Sequence, residues 1–132
     1  AAYGKVSKVL CALPDTASKV DVNTLTEEQA PLLAALFIGS LSEDEAARLI
    51  ASRPEEGWES MEAFQKELET NYPQTKDALK QVQAFLAVNS HYFRVNSTGN
   101  TDDLTLRVVS QLHVDSEAGK VVTWQRRYRM VE

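Results

Sequence analysis

Two acidic loops carry the residue types that could bind a metal ion. Asp102 and Asp103 end one polar segment, and Asp115 and Glu117 lie in a second segment with the composition of a turn. Ca²⁺ prefers several oxygen ligands from carboxylates and loop carbonyls, and hairpin geometry could bring distant loops together. These four acids are therefore the candidate calcium ligands. The simpler interpretation of each loop is a polar turn in water.

Side chains that act as catalysts are scarce. His91 and His113 are the only histidines, and neither lies in a motif with metal-ligand spacing. Ser90 beside His91 is too local to define a nucleophile–base pair, and no Gly-x-Ser-x-Gly is present. Cys11 is the only cysteine, which leaves two interpretations: a buried thiol, or half of a disulfide whose partner lies outside this sequence. The sequence predicts no enzymatic activity.

The charge is unevenly distributed along the chain. The formal net charge is -5, to which residues 1–89 contribute -6 and residues 90–132 contribute +1. Nucleic-acid binding normally needs a basic surface, so the overall balance argues against it. Apolar residues make up 43% of the chain and charged residues 25%, which is close to the globular average. The composition predicts a folded, soluble protein built from two different segments.

The start of the chain lacks the features of a membrane anchor. No apolar run approaches the roughly 18 to 20 residues that span a bilayer. The chain begins Ala-Ala-Tyr-Gly-Lys, without an initiator methionine or the pattern of a signal peptide. We therefore expect a mature product or a fragment, with any anchor in a part that is missing here.

Residues 24–88 follow a helical pattern in four segments. Thr24-x-x-Glu27 and Ser42-x-x-Glu45 have the form of capping boxes, in which side chains satisfy amide donors at a helix start. These two motifs predict the starts of the first and second helices. Four apolar residues of the first helix have helical spacing and are predicted to face a core: Leu32, Leu33, Leu36 and Phe37.

Other residues predict where the helices bend, begin or end. Pro31 should bend or delay the regular part of the first helix, and Gly39 should close it. Ser60 can cap the third helix, Pro73 helps to break it, and the fourth helix should start near Gln74.

After Asn89 the hydrophobic period changes from about 3.6 to two, which is typical of strands. The clearest strand places these residues on one face: Leu104, Leu106, Val108, Leu112 and Val114. A turn follows, and the returning strand over residues 120–131 should place four residues on one side: Val122, Trp124, Tyr128 and Met130. Residues 92–95 are a plausible third strand.

The chain is therefore predicted to be α+β. Residues 1–22 form a connecting segment, residues 23–89 a compact helical module, and residues 90–132 antiparallel strands. Trp58 and Trp124 each suit either a core or an interface, and the apolar strand face favours a core position for Trp124. The residues predicted to be core are Leu32, Leu36, Leu49, Phe64 and Leu106.

Several short motifs occur in a family-specific order. They are Val22-Asn-Thr-Leu-Thr-Glu-Glu28, Leu41-Ser-Glu-Asp-Glu-Ala46, Gly57-Trp-Glu-Ser-Met-Glu-Ala-Phe64, Ser90-His-Tyr-Phe93 and Trp124-Gln-Arg-Arg-Tyr128, with Cys11-Ala-Leu-Pro14 ahead of them. This order resembles the C-terminal part of general secretion pathway protein K, a minor pseudopilin of type II secretion. The resemblance covers about residues 9 to 132.

The resemblance implies a fold, a location and partners. The whole protein would be anchored in the bacterial inner membrane, with a helical domain inserted into a pilin-type sheet. This chain would hold the second half of that insertion and the final strands of the sheet. Proteins of this type sit at the tip of a periplasmic pseudopilus, associate with minor pseudopilins I and J, and support export of folded proteins. Some bind calcium.

The strongest alternative is DNA binding, because the helical module also resembles SAM-like and helix-hairpin-helix modules. Those modules present a glycine-rich hairpin whose amides approach phosphate. Here the corresponding connection, residues 37–41, contains only Gly39, and three acids follow it at residues 43–45. Acids at a phosphate site repel the ligand, so the sequence favours the secretion protein over a DNA-binding module.

Overall fold

The computed structural model describes residue 13 and residues 16–131, so Cys11 lies outside the described residues. The chain divides into two compact units, residues 1–89 and residues 90–132. Within the described ranges, no helix has both the length and the apolar character needed to cross a bilayer.

The first unit consists of short helices between two very short strands. In chain order its elements are β1 (Val20–Asp21), α1 (Ala30–Leu36), α2 (Glu43–Ala51), α3 (Met61–Asn71), α4 (Lys76–Val82) and β2 (Leu86–Ala87). Short 3-10 turns lie at Glu27–Gln29, Pro73–Thr75 and Gln83–Phe85. The helices are connected tightly, and they enclose a single hydrophobic core.

Side chains fix where α2 and α3 begin. The Oγ of Ser42 accepts a hydrogen bond from the Glu45 amide at 3.2 Å, and Oε2 of Glu45 accepts one from the Ser42 amide at 2.8 Å. The Oγ of Ser60 accepts a hydrogen bond from the Ala63 amide at 3.2 Å. These bonds satisfy amides that a helix start leaves without intrahelical partners. Both predicted helix starts are confirmed.

The capping box at α2 should make stability depend on pH. Hydrogen bonds from the Ser42 backbone and side chain hold the pKa of the Glu45 carboxyl below its usual value of 4.5. Because the folded pKa is depressed, the ionised carboxylate stabilises the fold at neutral pH. This contribution is lost as the pH falls through the folded pKa.

We therefore expect Glu45→Gln to lower the thermal midpoint more at neutral pH than at an acidic pH below 4.5, because the contribution of the ionised carboxylate fades as the pH falls through the folded pKa. Circular dichroism melts at the two pH values measure this. Glu43→Gln is the matched control, because Glu43 lies in the same first turn without the capping bond. A deficit of Glu45→Gln that is equal at both pH values would contradict the prediction.

The first helix starts later than predicted. Thr24 does not cap it, because its Oγ1 donates to the Asp21 carbonyl at 2.9 Å and closes a turn. Thr26 instead precedes the 3-10 turn, and its amide donates to Oε1 of Gln29 at 3.0 Å. Pro31 lies in the first turn of α1, where its missing N–H removes no helix bond. The expected delay at Pro31 is confirmed, and the cap predicted at Thr24 is wrong by two residues.

The buried face of α1 is narrower than the predicted one, which included all four apolar residues at helical spacing. Leu33 and Phe37 are buried, whereas Leu32 and Leu36 are only partly buried at the edge of the core. Because α1 begins at Ala30, the residues at helical spacing from Ala30 face inward. Leu49 and Phe64 are fully buried, as predicted.

The two ends of the helical unit pair with each other. β1 and β2 are parallel, with Val20 opposite Leu86 and Asp21 opposite Ala87, and the Val22 amide donates to the Ala87 carbonyl at 2.9 Å. Residues 20–22 therefore belong to this unit rather than to the predicted connecting segment. The fourth helix was expected to run through Leu86, but α4 ends at Val82 and Leu86 is a buried strand residue. Phe85, in the 3-10 turn between them, is 58% exposed.

The second unit is a three-stranded antiparallel meander. Its strands are β3 (Tyr92–Asn100), β4 (Thr105–Asp115) and β5 (Lys120–Val131), in the spatial order β3-β4-β5. The predicted third strand is present and extends beyond residue 95. All three strands follow the change of period that the sequence indicates after Asn89.

A β-bulge in β5 changes which side chains share a face. Gln111 lies opposite Gln125 and Leu112 opposite Thr123, so Trp124 is an extra residue on β5. Tyr128 pairs with Val108 and therefore lies on the apolar face of β4, whereas Val122 pairs with His113 on the other face. The prediction that Val122 and Tyr128 share a side is wrong.

Within this unit the sheet is a single layer. Leu106 is only half-buried, and Trp124 is 37% exposed, so the predictions that both are core are wrong. A sheet buries an apolar face only where a second layer packs against it. Among strand residues 92–129 of this unit, Ser110 alone is buried.

Candidate functional site

The four candidate calcium ligands lie in two separate loops. Asp102 and Asp103 lie between β3 and β4, and Asp115 and Glu117 lie where β4 turns into β5. These loops are at opposite ends of β4, which rises about 3.4 Å per residue and is therefore more than ~30 Å long. The structure does not bring the two pairs together. Among the described residues, no group of three or more His, Cys, Asp or Glu could hold a metal ion.

Each acidic loop also has a structural role. The Thr101 amide donates to the Leu104 carbonyl at 2.8 Å and places Asp102 and Asp103 at the tip of the β3–β4 hairpin. Oδ1 of Asp115 accepts hydrogen bonds from the amides of residues 117 and 118, both at 3.0 Å. These bonds stabilise polar turns. Calcium binding at either pair stays a prediction, and it would need further oxygen ligands.

The histidines do not form a catalytic arrangement with each other. His113 stacks on Tyr92, directly opposite it on β3, with ring centroids 4.6 Å apart and an angle of 25° between the rings. The carbonyl of His91 accepts a hydrogen bond from the Val114 amide at 2.8 Å. These contacts are those of a cross-strand pair, which stabilises a sheet.

Asn23 forms the most connected polar contact in the helical unit. Its Nδ2 donates to the carbonyls of Trp58 at 3.0 Å and Val88 at 3.1 Å, and its Oδ1 accepts from the Trp58 amide at 2.8 Å. The side chain therefore connects the start of the unit to backbone groups that lie 35 and 65 residues further along the chain. This use of both atoms requires a side-chain amide, because the ionised carboxylate of aspartate cannot donate.

Two further residues complete this contact, which we call the Asn23 junction (Asn23, Arg53, Gly57 and Trp58). Nη1 of Arg53 donates to the carbonyls of Leu25 at 2.9 Å and Val22 at 3.3 Å. Gly57 has φ +81°, and a Cβ at this position would lie 2.8 to 3.0 Å from the side-chain atoms of Asn23. Only glycine combines this left-handed backbone with so close an approach.

Trp58 links the junction to the core. Trp58 is only 4% exposed, and its ring packs edge-on against Phe64 with ring centroids 4.9 Å apart. Its Nε1 donates to Oε2 of Glu67 at 2.6 Å, and the Ser52 hydroxyl donates to Oε1 of Glu67 at 2.9 Å. Among the described residues, every buried side-chain nitrogen and oxygen has a hydrogen-bond partner.

The residues of the Asn23 junction have a structural role rather than a catalytic one. The side-chain hydrogen bonds of Asn23 and Arg53 end on backbone carbonyls and amides of the chain itself, and Trp58 Nε1 donates to the Glu67 carboxylate. Reasoning from periodicity missed the junction, although the family-specific motifs around Val22-Asn23 and Gly57-Trp58 indicated that these positions matter.

The sequence profile described as "Type II secretion system (T2SS), protein K" matches residues 20–88. The match covers just over half of the chain, from β1 to the residue after β2, and contains the whole Asn23 junction. The chain belongs to the type II secretion system protein K family.

Relatives in this family match almost the whole chain. Type II secretion system protein K of Pectobacterium carotovorum subsp. carotovorum is 35% identical over 128 residues, which cover 96% of this chain and 37% of the relative. The protein K of Aeromonas hydrophila is 31% identical over 124 residues, covering 94% of this chain and 36% of the relative. The chain thus spans little more than a third of the length of these protein K relatives.

A solved structure supports the same fold. A chain in the crystal structure of the GspK-GspI-GspJ complex from the enterotoxigenic Escherichia coli type 2 secretion system matches with a TM-score of 0.76 and 26% identity. The match covers 96% of this chain and 42% of that chain. The predicted α+β class, a helical module followed by antiparallel strands, is confirmed. None of these proteins is described as binding DNA, and the DNA-binding alternative is unsupported.

Proposed function

We propose that this chain is the C-terminal part of a minor pseudopilin that assembles with pseudopilins I and J. The complete protein would be anchored in the bacterial inner membrane and would lie at the tip of the periplasmic pseudopilus, where it supports export of folded proteins. The observation that carries the proposal is the similarity, over 96% of this chain, to a chain of the GspK-GspI-GspJ complex. The role is one of binding and assembly rather than catalysis.

The helical unit suits such a role because it has a well-packed core and exposes an apolar side chain at its surface. The Asn23 junction fixes its two ends, and the core fixes its helices. Ile38 is 79% exposed and has φ 45°, a conformation that is unfavourable for a β-branched residue. An exposed apolar side chain held in a strained backbone suits contact with another protein.

The proposal is tested by mixing the complete periplasmic region of the protein with purified pseudopilins I and J. We expect light scattering to give the mass of a complex that contains all three. Pseudopilins I and J without this protein are the control for the mass of their own complex. Elution of this protein separately from I and J, with and without calcium, would refute the partnership. Duplex DNA would then be the next ligand to test.

The calcium arms of this experiment also address the two acidic loops. Asp102→Asn/Asp103→Asn removes the carboxylates at the β3–β4 tip, and Glu55→Gln/Glu56→Gln removes the same charge from an exposed pair on the helical unit. If calcium strengthens the assembly through the β3–β4 loop, only the first variant loses that gain. Equal behaviour of both variants would remove this loop from the candidate ligands.

A further inference from the structure

The register of the sheet places four arginines on one face. Residues directly opposite each other in an antiparallel pair point to the same side. Arg107 lies opposite Arg129, Arg127 lies opposite Val109, and Arg94 lies opposite Gln111. Because residues 107, 109 and 111 alternate along β4, all four side chains share one face. We call these four residues the arginine face: Arg94, Arg107, Arg127 and Arg129.

The arginine face is not neutralised by the described part of its own unit. All four arginines are exposed, and no described carboxylate forms a salt bridge with them. Asp115, at the far end of the same face, lies opposite Lys120. Like charges directly opposite on neighbouring strands destabilise a sheet, so the Arg107–Arg129 pair lowers the stability of the isolated unit. An anionic partner would offset this repulsion.

Polar side chains around Val109 suit the recognition of carboxylates. Asn96, Thr98, Gln111 and Gln125 lie between the arginines on the same side of the sheet. A guanidinium group donates two parallel hydrogen bonds to one carboxylate, and amide side chains add neutral donors around it. A flat sheet face can therefore meet several carboxylates of one protein surface at the same time.

We propose that the arginine face binds a carboxylate-rich protein surface. The charge of the chain favours this partner over a nucleic acid. Residues 90–132 carry a net charge of only +1 and residues 1–89 carry -6. A long polyanion would therefore be repelled by most of the molecule, whereas a local acidic patch meets the arginines alone. This proposal is independent of the pseudopilus assembly.

Fluorescence anisotropy with a labelled short poly-L-glutamate peptide, no longer than a local acidic patch, tests the proposal on the complete periplasmic region of the protein. Arg107→Gln/Arg129→Gln removes the facing pair. Lys66→Gln/Lys76→Gln is the matched control, because it removes the same charge from exposed positions of the helical unit. We expect the arginine variant to bind about five- to tenfold more weakly, and the control to stay within about twofold of the unchanged protein.

Stability should change in the opposite direction to binding. Removing the facing charges relieves repulsion, so the melting temperature of the arginine variant should be unchanged or higher. If it falls, Arg107→Lys/Arg129→Lys becomes the deciding variant, because it keeps the charge and loses the two parallel bonds. That variant is expected to bind poly-L-glutamate more weakly than the unchanged protein.

Three results would overturn the proposal. The first is an equal loss of binding in the Lys66→Gln/Lys76→Gln control, which would show that only the net charge of the protein matters. The second is binding of duplex DNA or of anionic phosphatidylglycerol vesicles that is as tight as binding of poly-L-glutamate. The third is a lysine-for-arginine variant that binds poly-L-glutamate as tightly as the unchanged protein.

Discussion

Replacing Gly57 with alanine is expected to lower the free energy of unfolding of the helical unit by about 3 kcal/mol or more. The left-handed backbone at φ +81° costs an L-residue about 1–2 kcal/mol. The new Cβ would also lie 2.8 Å from Cγ of Asn23, whose side chain is held by hydrogen bonds to Trp58 and Val88. Asn23 could move away only by giving up these bonds, each of which contributes about 1 kcal/mol.

Gly39 provides a matched control for this prediction. It has nearly the same backbone angle, φ +79°, but nothing lies within 4 Å of a Cβ built there. Gly39→Ala should therefore cost only the backbone term, about 1–2 kcal/mol. Urea unfolding followed by the helical circular dichroism signal measures both variants. Equal destabilisation of the two would show that crowding at the Asn23 junction contributes nothing.

Truncating Phe64 should have one of the largest effects of any substitution in the core. Phe64 is 0% exposed, and its ring packs against Trp58. Phe64→Ala removes these contacts and leaves a cavity, so we expect a loss of about 3–5 kcal/mol, enough to unfold much of the helical unit.

Phe85→Ala is the control of the same chemistry, because Phe85 is 58% exposed. A surface truncation of this kind should change stability by no more than about 0.5 to 1 kcal/mol. Both variants can be compared by urea unfolding and by their helical signal at low denaturant concentration. A Phe64→Ala chain as stable as the Phe85→Ala chain would contradict the assignment of Phe64 to the core.

The helices were predictable because their signals are local. Ser42 and Ser60 act on amides three residues away, and the missing N–H of Pro31 restricts where a helix can start. The face of α1 was predicted only in part, because a shift of one residue at the helix start rotates every later side chain by about 100°. Leu33 and Phe37 occupy the core as predicted, whereas Leu32 and Leu36 lie at its edge.

The β1–β2 pair and the Asn23 junction could not be predicted from periodicity. Strands of two residues are too short to show an alternating pattern. The contacts of Asn23 join positions that are 35 and 65 residues apart, and no local pattern encodes such a distance. The order of motifs that resembles the family was the one signal in the sequence that included these residues.

One extra residue in a strand is enough to make the alternating pattern predict the wrong face for the residues beyond it. The three strands follow the predicted period of two, but the bulge at Trp124 moves Val122 to the face opposite Tyr128. The candidate calcium ligands are kept apart by the topology of the sheet. In a meander, consecutive turns lie at opposite ends of the shared strand, so the loops on either side of β4 are far apart.

The parallel pairing of β1 and β2 has a mechanical consequence. The chain enters the helical unit along β1 and leaves it along β2 in the same direction, one strand spacing to the side. Tension between these two ends would pull the strands past each other along their length. It would therefore load the hydrogen bonds of the β1–β2 pair in shear and at the same time, together with the bond from Asn23 to the Val88 carbonyl. Force applied at these two ends would therefore reach the hydrogen bonds of the β1–β2 pair before the helices that the chain forms between the two strands.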